Sequence, residues 1–130
     1  PLPCDRADRI LYYRGASGGC DRSFALEIGA DGAVSLVASG GGGAAGACAD
    51  ARSDRTRIEP AEARRLVASS CAAVNGGYSL ERGVGCREAA VRLFFFAGDA
   101  LLGETAALPC PPHALDAAVA DLDALVARVR

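Results

Sequence analysis

A chain of 130 residues that is 51% hydrophobic carries the apolar material of one domain, and no apolar run in it reaches the roughly 18 to 20 residues that a membrane-crossing helix needs. Its 14 basic residues are outnumbered by 16 acidic ones, for a net charge of −2. That balance excludes the globally cationic surface of a nucleic-acid binder, so residues 1–130 are expected to form a single exported domain with no nucleic acid among its partners.

The first element in chain order is a strand over residues 9–14, rich in aromatic and β-branched types and ended by Gly15. In residues 23–28 Phe24, Leu26 and Ile28 alternate with smaller or polar neighbours, and residues 33–37 alternate again after Gly29-Ala30-Asp31-Gly32. The two runs read as a hairpin on an Asp-Gly turn in which Gly32 takes a positive φ. Between residues 39 and 57 neither period is present. Gly40, Gly41, Gly42 and Gly43 are consecutive, and the stretch reads as a surface loop tethered at Cys48, with only a weak sign of a further strand near 55–58.

Glu59-Pro60-Ala61-Glu62 opens a helix, with Pro60 where a missing amide is harmless and Glu62 at the favourable end of the dipole. Ala63, Leu66, Val67, Ser70, Cys71 and Val74 recur on one face until Asn75-Gly76-Gly77 ends the element. A second hairpin follows over 89–96 and 100–105. Val91, Leu93 and Phe95 share one face, while Phe94 and Phe96 put aromatic surface on the other, so this strand is either covered on both sides, the favoured reading, or displays an apolar patch. Pro111 and Pro112 stop the sheet. Leu115, Ala118, Val119, Leu122, Leu125, Val126 and Val129 then keep helical spacing, with Asp116, Asp121 and Asp123 assigned to the solvent side. The order βββ-α-ββ-α predicts an α+β fold, an antiparallel sheet of about five strands packed against two helices and braced by disulfides.

Six cysteines, at 4, 20, 48, 71, 86 and 110, include no C-x-x-C pair, and they read as three disulfides made in an oxidising compartment. The hairpin brings the flanks of Cys20 and Cys48 together, and Cys71 ends a helix just before the strand that Cys86 precedes. Cys20–Cys48 and Cys71–Cys86 are therefore the expected bridges, which leaves Cys4–Cys110 by elimination. All the basic residues are arginine, as GC-rich codons favour, and methionine is absent. The missing initiator is read as the loss of a targeting signal ahead of Pro1, so the expected location is periplasmic or extracellular. A lipid anchor on Cys4 is the competing reading, although Pro3 stands where a lipoprotein processing site wants a small residue.

The run Cys20, Phe24, Leu26, Ile28, Asp31, Gly32 and Val34, followed by a helix, a hairpin and a closing helix, resembles a family of small exported bacterial envelope and lipoprotein domains of unknown function. The resemblance implies an exported location and brings no catalytic residues.

The glycine run is no phosphate loop, since that motif needs a lysine and a helix directly after it, and this chain has no lysine. Nor does the hairpin order supply the βαβ unit of a dinucleotide site. Gly40, Gly41, Gly42 and Gly43 with Arg52, Arg55 and Arg57 are instead candidates for a partner-binding loop, the arginines as anchors for carboxylates. The sole histidine, His113, opens the last helix beside Cys110, and a Cys-His catalytic pair would need a free thiolate there. The acids are scattered, so neither a metal site nor a paired-carboxylate hydrolase is expected, and no cofactor. By subtraction the chain reads as a non-enzymatic exported binding protein, an inhibitor or immunity factor acting on another protein. The alternatives are a structural envelope domain without a tight partner and a small hydrolase using carboxylates.

Overall fold

The computed structural model describes residues 2–15, 23–39, 52–76, 90–104 and 113–129. Within them lie β1 (Arg9–Gly15), β2 (Ser23–Gly29), β3 (Ala33–Ser39), β4 (Arg52–Arg57), α1 (Pro60–Asn75), β5 (Ala90–Ala97), β6 (Ala100–Glu104) and α2 (His113–Val129), with a 3₁₀ turn at Cys4–Arg6 ahead of them. The strands form one sheet in the order β4-β3-β2-β1-β5-β6, every neighbouring pair antiparallel. The expected α+β architecture is present, and β4 adds a sixth strand. β4 and β5 point the same way at separated positions in the sheet, which no hairpin can join, so the chain crosses between them through α1.

Period two puts Ile10, Tyr12, Phe24, Leu26, Ile28, Val34, Leu36, Val91, Leu93 and Phe95 on one face of the sheet, all buried. There they meet Leu66, Val67 and Cys71 of α1 and Val119, Leu122, Leu125 and Val126 of α2 in one core. The Tyr12 and Phe24 rings pack edge to face, with centroids 5.4 Å apart, the arrangement that ring quadrupoles favour. Both helices thus lie on one side. Outside the core, Arg128 of α2 donates to Glu62 of α1 at 2.8 Å and holds that carboxyl below the usual glutamate range.

The turn between β2 and β3 has the conformation its Asp-Gly pair predicts, with Gly32 at φ +96°. Asp31 Oδ1 accepts from the Ala33 N–H at 3.0 Å, an Asx-type contact that sets the turn. A second requirement is tertiary: a Cβ on Gly32 would sit 2.3 Å from the Ile58 carbonyl oxygen. That close approach lets the Ile58 N–H donate to Gly32 O at 2.9 Å and fixes the entry to α1.

The disulfide pattern is corrected. Cys4 is bonded to Cys71, with Cα atoms 5.7 Å apart, so neither Cys4–Cys110 nor Cys71–Cys86 exists. Proximity in sequence favoured Cys86, but the last turns of α1 pack against the N-terminal arm. Asn75 repeats the attachment, since its Oδ1 accepts from the Leu2 N–H at 2.7 Å and its Nδ2 donates to Leu2 O at 2.8 Å. The bonded Cys4 sulfur also has no thiol left for a lipid thioether. Cys20, Cys48, Cys86 and Cys110, with the expected Cys20–Cys48 bridge, lie outside the described residues.

Candidate protein-binding face

The residues that alternate with the core face form the other surface of the sheet, and register assembles them into rows. One row runs Arg57, Ala33, Gly29, Arg9, Phe96, Leu101 from β4 to β6. The next runs Arg55, Ser35, Glu27, Leu11, Phe94, Glu104, and a third runs Ser53, Val37, Ala25, Tyr13, Arg92 from β4 to β5. Both helices pack on the opposite side, and among the described residues no element lies over these rows. Tyr13, Val37 and Leu101 are 38%, 45% and 51% exposed.

Phe94 and Phe96 are half-buried, and among the described residues no element covers them. What shields the rings is charge: the Arg9 guanidinium lies 4.4 Å from the Phe96 centroid and that of Arg92 5.0 Å from Phe94. A cation over a ring face is attracted by the ring quadrupole, at about 0.5–1 kcal/mol on an exposed surface. Each guanidinium is also anchored by a carboxylate, Arg9 on Glu27 at 3.1 Å and Arg92 on Glu104 at 2.8 Å. Cross-strand register makes the first ring contact, because Arg9 of β1 faces Phe96 directly, and the pleat of β5 makes the second, because Arg92 and Phe94 lie two apart on that strand. The aromatic side chains are thus half-buried beneath rigid cationic planes.

The arginines assigned to a partner-binding loop are placed differently. Arg52, Arg55 and Arg57 belong to β4, an edge strand, while Gly40, Gly41, Gly42 and Gly43 lie outside the described residues. Register puts Arg55 and Arg57 on the open face with Ser53, and Asp54 and Thr56 at alternate positions toward the helices. A strand polar on both sides carries no hydrophobic alternation, so its sequence resembles a loop. His113 is the first residue of α2, as its position after two prolines suggests. Asp121 is exposed as expected.

Asp123 is not free on the solvent side. Its Oδ1 accepts from the Tyr12 hydroxyl at 2.7 Å and its Oδ2 from Arg14 Nη1 at 2.8 Å, and Arg14 also donates to the Tyr12 oxygen at 3.2 Å. Burial, helped by the carboxylate, pushes the Tyr12 phenol well above its ordinary range. A phenol so held is a neutral donor at any working pH, and the trio ties α2 to the sheet rather than presenting a reactive group. Tyr12 and Arg14 lie two apart on a strand, which was the only local sign that both reach the helix side. Among the described residues no three of His, Cys, Asp and Glu are grouped to hold a metal.

The chain matches no protein-family model, no curated protein and no solved structure. Its function is therefore read from the chemistry of this face alone.

Proposed function

We propose that the chain is an exported, non-enzymatic binding protein that acts on another protein, as an inhibitor or immunity factor does, and that it binds through the open face of its sheet. One observation carries this reading: a six-stranded surface, bare of described elements, that alternates apolar side chains with charge. An antiparallel sheet that only has to be stable turns a polar face to water. Here Leu11, Tyr13, Val37, Phe94, Phe96 and Leu101 share that face. Exposed apolar surface rimmed by charge marks interaction sites, and tyrosine, phenylalanine and arginine are enriched in them. The arginine planes stacked on Phe94 and Phe96 are already ordered, so little side-chain entropy would be lost when a partner closes over them. The Cys4–Cys71 disulfide supports an oxidising compartment.

The test compares the native protein with a Tyr13→Glu/Val37→Glu variant, whose substitutions fall at exposed positions and leave the circular dichroism spectrum unchanged. The native protein is expected to retain one protein from the exported fraction in equimolar amount. Calorimetry with that isolated protein should show affinity falling at least tenfold in the variant, about 1.4 kcal/mol. Equal affinity of both forms, or turnover of a hydrolase substrate by the native protein, would overturn the reading.

A further inference from the structure

The open face is not flat. On its β4 side it is hollowed to a volume of ≈ 580 Å³, within the range of about 300–1,000 Å³ typical of ligand sites. The hollow exists because Gly29 and Ala33 supply a floor with almost no side chain. Arg55 and Arg57 stand on one side of it, Arg9 and Glu27 on the other. The floor is kept bare by the turn, since a Cβ on Gly29 would come within 2.7 Å of Asp31 Oδ1.

We propose that this hollow is a carboxylate-binding pocket that receives an acidic side chain from an extended segment of the partner protein, a proposal that rests on the open face being the binding surface. The two walls differ in what they have left to offer. Arg9 is committed: it bonds Glu27 at 3.1 Å and Gly98 O at 3.2 Å and lies over Phe96. Arg57 spends one donor on the Asp31 carbonyl at 3.1 Å, which steadies the side chain and leaves its other N–H groups available. Arg55 is exposed and forms no ion pair with a described carboxylate. Residues two apart on a strand stand about 6.6 Å from each other. From that spacing two guanidinium forks can converge on one carboxylate, the geometry in which arginine binds this group best.

Charge identifies the occupant. The rows of the open face hold four arginines against two glutamates, although the whole chain has a net charge of −2. The face is thus complementary to an acidic surface. It suits a polypeptide and not a nucleic-acid strand, because Glu27 in the wall and Asp31 at the rim repel a continuous phosphate backbone. The same acids accept hydrogen bonds from the N–H groups of a peptide.

The experiment is an amide NMR titration with the capped peptide acetyl-Gly-Glu-Gly-amide, its glutamine counterpart at equal ionic strength, and inorganic phosphate. The glutamate peptide should shift the amides of Gly29, Ala33, Arg55 and Arg57 at millimolar concentration, and the glutamine peptide should not. In the Arg55→Gln/Arg57→Gln variant, which keeps the native spectrum elsewhere, those shifts should vanish. Absence of localised shifts, equal shifts from the glutamine peptide, shifts that survive in the variant, or stronger shifts from phosphate would each overturn the pocket. Failure of the pocket is separable from failure of the face. A captured partner that Tyr13→Glu/Val37→Glu releases, but that Arg55→Gln/Arg57→Gln binds unchanged, refutes the pocket and keeps the face. Peptide binding in the hollow with no partner captured keeps the pocket and refutes the face.

Discussion

Removing the Cys4–Cys71 bond in a Cys4→Ala/Cys71→Ala variant measures what the N-terminal arm contributes to the fold. The bond closes a loop of 67 residues, and releasing a loop of that length favours the unfolded chain by about 4 kcal/mol at 25 °C in the chain-entropy account. The native state loses as well. Without the bond the arm is held by the packing of Leu2 and Ala7 against the core and by the two Asn75–Leu2 hydrogen bonds, which are exposed and contribute about 1 kcal/mol each. Ordering backbone costs roughly 1–2 kcal/mol per residue, so the arm frays and Leu2 uncovers Gly103, against which it packs. The expected loss is about 4–5 kcal/mol, a drop of roughly 2 M in the urea midpoint at slopes of about 1–3 kcal/mol per molar. Urea unfolding followed by circular dichroism checks the magnitude, and amide exchange checks that residues 2–6 lose protection while Asp8, bonded to Phe96 O, keeps it. A midpoint within about 0.3 M of the native value, an arm still protected, or a non-reduced peptide map joining Cys71 to another cysteine would refute the reasoning.

Gly32→Ala and Gly98→Ala both force alanine to a positive φ, but only at Gly32 does the new Cβ meet a backbone oxygen, that of Ile58. Gly32→Ala should therefore cost about 2–3 kcal/mol and Gly98→Ala about 1, and equal losses in thermal melts would discount the Ile58 contact. The raised Tyr12 phenol contributes stability that is complete below the ordinary tyrosine range and is lost as pH rises through the folded value. Ultraviolet titration should thus leave one of the three tyrosines un-ionised until alkaline unfolding, whereas normal ionisation of all of them speaks against the Asp123 bond. Ser70 Oγ is buried in α1 without a described hydrogen-bond partner, so Ser70→Ala should raise stability by about 1 kcal/mol, and a lower melting temperature contradicts this. With Cys4 and Cys71 joined, the other four cysteines allow three pairings. Cys20–Cys48 and Cys86–Cys110 are expected because Cys86 leads into β5 and Cys110 follows β6, its neighbour, and four alkylatable thiols would exclude both.

What was legible in the sequence was local. Phe24, Leu26 and Ile28 announce their strand because alternation is a property of adjacent residues, and Gly32 announces its turn because Asp-Gly is a local preference. The same holds for Leu122, Leu125 and Val126 at helical spacing. β4 was nearly invisible, since Arg52-Ser53-Asp54-Arg55-Thr56-Arg57 has no buried row to create a period and only pairing with β3 makes it a strand. Contacts of long sequence separation were invisible for a different reason. Cys4 reaches Cys71 and Tyr12 reaches Asp123 because the helices return over the sheet, a consequence of topology that no window of sequence contains. Phe94 and Phe96 fall between these cases. Their outward direction was readable from alternation, as was Arg92 two residues from Phe94 on the same strand, but Arg9 reaches Phe96 only through register with a neighbouring strand.

The same edge strand bears on how a partner approaches. A sheet with no described element over one face or along its edges offers two routes, pairing along an edge or docking on a face. Along β4 the first route is obstructed, because three arginines and an aspartate in six residues place charge on both sides of any added strand. At the other edge β6 has five residues, and its pairing with β5 shifts register between Phe95 and Phe96, which breaks the regular ladder that an incoming strand must match. Both edges thus carry the features by which sheets resist uncontrolled pairing. The face between them carries the opposite ones, with exposed Tyr13 and Val37, preordered arginines over Phe94 and Phe96, and the bare floor at Gly29 and Ala33. A chain whose open face had no partner would gain solubility from lysine or glutamate at Val37 and Tyr13 at no cost to its core. That apolar side chains stand there, between one heavily charged edge and one short, irregular edge, is what directs the proposed partner to the face.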